Sequence, residues 1–402
     1  MLTHRQLFQQ HLAQTSPAPL ALEIVKAEGS FLFDADGKKY TDLISGIAVS
    51  NVGHRHPRVL AAIHKQLDQY MHLMVYGEYV QAPQVKLAHK LAQLLPAHID
   101  SAYFVNSGAE AIEGAMKLAK RYTGRPEIVS FKKAYHGSTQ GALSLMGDEF
   151  FKDAFRPLLP GIRQLTFNDP AELAQISENT AAVFVEPVQG EAGAVAADPA
   201  FMQALRKRCD ETGTLLVFDE IQTGFGRTGK LFALEHYGII PDMVVLAKGM
   251  GGGMPLGAFA APKKIMQALT ENPVLGHITT FGGHPVCCAA ALATIEAIID
   301  EKLIDGVEER EQIIRGTLKH EAISEVRGKG LMLAVLLPDN AFVLNVIQRC
   351  VARGVITDWF LFCDRALRIA PPLNIAVEDL REACTVIVES IEEVYKEGVL
   401  GN

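Results

Sequence analysis

Lys248 stands in the stretch VVLAKGMGGGMPLGAF (244–259), after four apolar residues and before a run of glycines. Ammonium groups are almost never fully buried without a partner. An amine kept at the end of an apolar run therefore calls for a chemical use, since a desolvated lysine is both a nucleophile toward carbonyl carbon and a base. Other reactive groups stand in comparable places. Asn106-Ser107-Gly108 follows AYFV, Tyr135-His136-Gly137 comes shortly after EIVSF, Glu186 ends AVFV, and Asp219-Glu220 ends LLVF. Together they offer an amine, carboxylates, an imidazole and a flat aromatic ring.

The stretch NSGAEAIEGAMKLAKR (106–121) adds a place for an anion. Its small polar residues close a strand and open a helix, with Ile112, Ala115, Met116 and Ala119 on one face and Lys117, Lys120 and Arg121 mostly off it. The free N–H groups of Ser107, Gly108 and Ala109 point at an anion, and the helix dipole adds to their attraction. Taken alone, the stretch is an ordinary serine-capped helix; its company gives it the second meaning.

These groups need elements to hold them. Five short runs rich in Val, Ile and Phe (102–105, 127–131, 182–185, 215–218 and 244–247) are mostly separated by segments of helical character. They are continuous and not alternating, as strands covered by helices on both faces require. The expected fold class is α/β, with a large domain whose mostly parallel sheet has helices on both faces. In such sheets ligands bind beyond the carboxyl ends of the strands, so the five groups can converge on one pocket. At the chain ends, SFLFDADGKKYTDLI (30–44) reads as strands joined by an Asp-Gly turn, 286–320 as an Ala-rich helix and then a charged one, and 325–402 as strands mixed with helices. We expect both ends to form one smaller α+β domain: residues 1–55 and 291–402 around a large domain at 56–290.

Composition narrows the partners. The chain has 402 residues, a formal net charge of −8 and no concentrated cationic patch, which argues against a nucleic-acid or anionic-membrane surface as its main partner. Six cysteines lack any C-x-x-C spacing, and with 13 scattered histidines they suggest neither a disulfide framework nor a zinc site, so no metal is expected. The start, MLTHRQLFQQH, has no apolar signal core, and the weakly polar run around 244–261 is broken by Lys248 and Pro255. A soluble, cytoplasmic protein is the expectation.

Two stretches invite other readings. TGFGRTGK (223–230) contains G-x-G-x-x-G and nearly matches a P-loop. Leu231 stands where a P-loop needs Ser or Thr, and Asp242 comes too early for the ribose-binding acid of a dinucleotide fold. A glycine-bearing surface or interface loop is the expectation here. His54 and His56 in GHRHP have no further clustered ligand and read as a turn before a helix at Pro57.

A phosphate cradle, an aromatic ring, a carboxylate and an amine, all at strand ends, are what a pyridoxal phosphate enzyme needs. The sequence resembles the class III aminotransferases of the fold-type-I pyridoxal phosphate superfamily, a group that includes ornithine, acetylornithine and 4-aminobutyrate aminotransferases. The resemblance lies in GIAVSNVGHRHP (46–57), NSGAEA (106–111), YHGST (135–139), VEPVQGEAG (185–193), FDEIQTGFGRTG (218–229), LAKGMGGGMPLGA (246–258), TTFGGHP (279–285) and LRIAPPLNI (367–375). It covers nearly the whole chain, in family order.

The resemblance implies a role for each position. Lys248 bonds to the cofactor aldehyde and later carries the proton between substrate carbon and cofactor. Asp219 pairs with the pyridine nitrogen, Gln222 with the ring hydroxyl, and Tyr135 stacks on the ring with His136 beside it and Glu186 near. Ser107, Gly108 and Ala109 hold the phosphate, and Thr280 completes it from the neighbouring subunit of a homodimer. Arg368 binds the substrate carboxylate. Glu191 neutralises that arginine when an ω-amino substrate presents an uncharged stem, while Ile47, Tyr76 and Tyr79 line the substrate pocket. Two departures stand out. Ser138 occupies the place after the aromatic-x-Gly turn where members using glutamate commonly carry arginine, and His284 replaces the usual Asn of GGNP. The implied reaction is transfer of an amino group from an amino acid, with an ω-amine of the ornithine, acetylornithine or 4-aminobutyrate type, to a 2-oxo acid. An aminomutase or decarboxylase on the same scaffold stays open, as do a catalytically silent binding protein and a nucleotide binder using 224–230.

Overall fold

A computed structural model describes residues 2–400. Its centre is a seven-stranded sheet in the order Ser101–Val105, Gly257–Ala261, Met243–Leu246, Leu215–Asp219, Thr180–Val185, Glu127–Phe131, Ile162–Leu165. Gly257–Ala261 runs antiparallel to both neighbours, and the other pairs are parallel. All five expected runs are strands of this sheet. The two further strands carried weak signals, because GAFAA lacks branched side chains apart from one aromatic and IRQL is a half-polar edge.

Strand burial follows from alternation within runs that look uniform in sequence. Val183, Val185, Leu216, Phe218, Val244 and Leu246 enter one core layer, while Ala182, Phe184, Leu215, Val217, Met243 and Val245 enter another on the opposite face. Successive side chains of a strand point to opposite faces, and here helices cover both. One of them, Gly108–Thr123, buries Ile112, Ala115, Met116 and Ala119 and ends at Gly124, whose φ of 70° is the left-handed C-terminal conformation that glycine adopts readily.

The two chain ends meet. Strands Ile24–Glu28, Phe31–Asp34 and Lys39–Asp42 form a sheet completed by Val355–Ile356, which pairs in parallel with Lys39–Asp42. A separate four-stranded antiparallel sheet, in the order Glu325–Lys329, Met332–Leu336, Cys363–Ile369, Asp358–Phe360, is covered with helices Val307–Thr317, Asn340–Ala352 and Val377–Leu400. Their shared core contains Leu43 together with residues from Val307 to Val394. The helix Pro285–Asp300 packs Cys287 to Ile298 into the large core.

Candidate active site

Beyond the carboxyl ends of the central strands lies a cavity of about 690 Å³. Its walls bring together Ser107, Gly108, Ala109, Tyr135, His136, Glu186, Glu191, Asp219, Gln222 and Lys248 from strand ends spread over more than a hundred residues of sequence.

Ser107 caps the Gly108–Thr123 helix, its hydroxyl accepting from Glu110 N at 3.2 Å, so the first N–H groups of the helix face the cavity. Crowding defines the same cradle. A Cβ on Gly137 would stand 2.6 Å from Ala109 Cβ, and one on Gly190 would stand 1.9 Å from Gln222 Oε1. Gly137, with a φ of 131°, is held to glycine by the Ala109 backbone beside it, whereas at Gly190 the end of the Gln222 side chain fills the space.

Three titratable groups are stacked beneath the cavity. Asp219 is buried at the end of its strand; one carboxylate oxygen accepts from His136 Nδ1 at 2.7 Å and the other from Ile221 N at 3.0 Å. Desolvation would lower the His136 pKa, but the hydrogen bond and charge of Asp219 outweigh it and the net direction is up. His136 Nε2 is buried without a partner. Glu186 accepts from Tyr135 N at 2.9 Å and Gly190 N at 3.0 Å, which ties the aromatic turn to the strand carrying Glu186. His136, Glu186 and Asp219 form the one group among the described residues whose ligand atoms lie close enough to share a cation, within 4.8 Å of one another. His136 and Asp219 are joined by a direct hydrogen bond, with Glu186 close by and held by backbone N–H groups.

Burial pushes the Glu186 carboxyl up to about 8. A carboxyl raised on folding stabilises the fold fully below its unfolded value of 4.5, and loses that contribution as pH climbs through about 8. Cofactor-free wild type should therefore lose unfolding free energy relative to Glu186→Gln as pH rises over that window, by at most about 1.4 kcal/mol per pH unit. Denaturant melts of both proteins across the range measure it, and a difference that stays flat with pH would count against a titrating Glu186.

Lys248 stands two residues after the end of its strand at Leu246, with a φ of 40°. That left-handed conformation is uncommon outside glycine and persists only where the surroundings hold it. Its side chain lines the cavity. Desolvation lowers its pKa against the opposing pull of Glu191, which favours the neutral amine.

Glu191 and Arg368 form a buried pair. Arg368 Nη2 donates to the two Glu191 carboxylate oxygens at 3.0 and 2.9 Å and to Trp359 O at 3.1 Å, and the guanidinium lies 4.2 Å over the Phe360 ring. Burial alone would raise the Glu191 carboxyl, but Arg368 outweighs it and the net direction is down. Glu191 lines the cavity and Arg368 stands behind it, so the acid covers the arginine.

Several expected residues lie elsewhere. Ile47, Tyr76, Tyr79 and Thr280 do not line the cavity of their own chain. Tyr79 is 53% exposed, and Ile47 sits in a turn of positive φ beside Val49, which does reach the cavity. Thr280 is exposed, although its neighbour Thr279 accepts from Asn106 Nδ2 at 3.1 Å. Of the Asp219-Glu220 pair only Asp219 faces the cavity; Glu220 points the other way and accepts from Ala233 N and Leu234 N, as alternation at a strand end dictates. The 223–230 stretch is not a surface loop: Gly224 to Thr228 are buried. Sequence reasoning missed Ile221, which packs where a Gly108 Cβ would stand 2.9 Å away, and the Tyr135–Phe362 ring contact at 6.4 Å. Ile221 had a signal, a β-branched residue two places after the strand-end aspartate; the Phe362 contact joins residues too distant in sequence to have one.

The cavity fits the phosphate-bearing pyridine cofactor that the motifs imply. It has a helix N-terminus in a glycine-shaped cradle for an anion, a buried carboxylate for a ring nitrogen, an aromatic wall and a desolvated amine.

Comparison with known proteins agrees. The family model for class-III aminotransferases matches residues 12–391. An acetylornithine aminotransferase of Methanocaldococcus jannaschii is 39% identical over 393 residues, covering 94% of each chain. One from Streptomyces coelicolor is 41% identical over 367 residues, covering 90% of this chain and 89% of its own. Among solved structures, the ornithine aminotransferase of Toxoplasma gondii, crystallised with pyridoxal phosphate at partial occupancy, superposes with a TM-score of 0.90 at 30% identity, covering 97% of this chain and 93% of its own. A transaminase from a marine Virgibacillus superposes with a TM-score of 0.91 at 28% identity, covering 98% of this chain and 99% of its own.

Proposed function

We propose a residue-level mechanism for this chain, which belongs to the class-III aminotransferases and is a pyridoxal-phosphate-dependent transaminase. The observation that carries it is the convergence of Lys248, Asp219 and the Ser107–Ala109 helix start on one cavity. The donor is an amino acid carrying an ω-amine and the acceptor a 2-oxo acid, a reading supported by the acetylornithine aminotransferase relatives and by the Glu191–Arg368 pair.

Once bound, pyridoxal phosphate supplies an aldehyde to combine with amines and a ring to accept the electron pair left by deprotonation. The chain's residues do the rest. Ser107, Gly108 and Ala109 bind the phosphate through backbone N–H groups, and Thr280 of a second subunit completes that site. Tyr135 and Ile221 wall the ring, with His136 and Glu186 supporting it and Gln222 bonding the ring hydroxyl. Asp219 holds a proton at the ring nitrogen. Lys248 carries the covalent link and moves the proton at the substrate carbon. Arg368 orients the α-carboxylate of one substrate, and Glu191 covers Arg368 while an ω-amino donor occupies the cavity, so a single site handles both half-reactions. Ile47, Tyr76 and Tyr79 reach the pocket only if supplied by the partner. The homodimer finds support in the exposed apolar residues Val274, Leu275, Ile278 and Phe281 on the Thr280 segment. Among the described residues no helix is long and apolar enough to cross a membrane; we place the enzyme in the cytoplasm.

Ser138 sets substrate choice in this reading. Among the described residues Lys248 is the only lysine or arginine lining the cavity. Arg163 is committed to Glu127 at 2.9 Å, and Arg227 is buried against Asn51, so neither replaces the missing guanidinium. Charge-assisted hydrogen bonds contribute about 1.5–3 kcal/mol each, so a second substrate carboxylate loses roughly one to three orders of magnitude in discrimination. Pyruvate, with one carboxylate, should therefore rival 2-oxoglutarate, with two, as acceptor. The test compares kcat/KM for the two acceptors in wild type and Ser138→Arg. A wild type that already prefers 2-oxoglutarate by several orders of magnitude, unchanged by the substitution, would sink this substrate argument.

A further inference from the structure

The 223–230 stretch, read in the sequence as a glycine-bearing surface or interface loop, carries the least explained charge among the described residues. Arg227 is fully buried, and among the described residues it enters no ion pair. Burial pulls its guanidinium down to about 9, which leaves it cationic at neutral pH. Its acceptors are neutral: Nη1 donates to Leu331 O at 3.0 Å and to Pro371 O, and Nη2 donates to Asn51 Oδ1 at 2.5 Å. Asp42 acts on this guanidinium through its charge but makes no hydrogen bond or ion pair with it, and a buried cation held by neutral acceptors is a costly way to hold segments together.

The positions of those acceptors give the charge a use. Asn51 is also buried, and its Nδ2 donates to Phe225 O at 2.9 Å, so both ends of its amide are fixed. That amide lies against Gly249, where a Cβ would come within 2.4 Å of Asn51 Nδ2. Gly249 directly follows Lys248, whose φ of 40° needs outside support. At the other end Pro371 lies three residues after Arg368, where the chain leaves its strand, and Leu373 N donates to Asn51 O at 2.8 Å.

We propose that Arg227 is a positioning residue that holds two parts of the active site in register: Asn51 against Gly249, beside Lys248, and Pro371, at the exit of the strand that bears Arg368. This rests on the roles given above to Lys248 and Arg368. Arg227 touches neither substrate nor cofactor. Its planar fork suits three acceptors from separate segments, whereas an ammonium group in its place would lack that geometry.

The test uses holoenzyme of wild type, Asn51→Ala, Arg227→Met and Arg227→Lys. Three quantities are read: the pH midpoint of the visible absorption band of the Lys248-linked cofactor, the single-turnover rate constant with saturating donor, and the donor KM. Asn51→Ala removes only the lysine branch and leaves the guanidinium its bonds to Leu331 and Pro371. It should shift the midpoint and slow the single turnover by about 10- to 100-fold, the scale expected when a reacting group is displaced by about 1 Å, with an unchanged donor KM. Arg227→Met should add a rise in donor KM, and Arg227→Lys should fall with it. If Arg227→Met yields no folded holoenzyme, Asn51→Ala decides alone. Variants that lose only thermal stability, keeping midpoint, rate and KM, would overturn the proposal, as would full rescue by lysine. A wild-type band that persists in Lys248→Ala would instead count against the active-site reading itself.

Discussion

Lys248→Ala should leave a protein that folds and binds pyridoxal phosphate without a covalent link, and that turns over essentially nothing. The cradle at Ser107–Ala109, the Asp219 carboxylate and the Tyr135 wall are untouched by the change, so affinity should fall without vanishing. The reaction loses both the amine that exchanges with substrate and the base at the substrate carbon. General acid–base assistance alone contributes about 10²–10⁴-fold, and among the described residues no other lysine or arginine lines the cavity to replace it. Borohydride treatment followed by denaturation reads the link directly: wild type should keep the cofactor on the chain and the variant should release it. A reducible adduct retained on the alanine variant would show that another amine does this work.

Asp219→Asn should retain the cofactor, covalently linked, while losing most of the chemical rate. The fold tolerates the change, since an amide oxygen can still accept from Ile221 N. The charge does not survive it. In wild type the buried carboxylate hydrogen-bonds His136 and raises its pKa and, in the proposed mechanism, holds a proton at the ring nitrogen. Removing a preorganised charge aimed at the reacting centre costs about 10²–10³-fold in rate, and the single-turnover rate should fall by roughly that much. Loss of Asp219 also removes what raises the His136 pKa, so the titration of the bound cofactor should change together with the rate. A near-normal single turnover at saturating donor would mean that the proton is held by some other group.

Much of the candidate site was legible because strand ends announce themselves. Five apolar runs, each closed by a reactive or phosphate-ready residue, all became strands of one sheet, and the residues that closed them reached one cavity. A parallel sheet aligns the carboxyl ends of its strands, so residues distant in sequence share an edge once the strands are recognised. Glu220 shows the limit of that logic, because being next to Asp219 in sequence put it on the opposite side of the strand. Ile47, Tyr76 and Tyr79 show another: apolar and aromatic residues have no chemistry that separates a pocket wall from a surface, and none of the three lines the cavity of its own chain.

What the sequence determined by itself was local chemistry and the periodicity that places it: the amine after its strand, the serine cap before its helix, the carboxylates at buried ends. Contacts between segments hundreds of residues apart belong to the tertiary structure. Val355–Ile356 completes the N-terminal sheet, and Glu191 meets Arg368 across 177 positions. Arg227, expected at a surface, became a buried clasp because Asn51, Leu331 and Pro371 arrive around it from three separate segments. A charge in a glycine-rich loop is ordinarily solvated, and nothing in its own stretch tells otherwise. Only packing brings acceptors from separate segments to the two terminal nitrogens of the guanidinium, replacing part of the water it gives up on burial while its Nε stays buried without a partner.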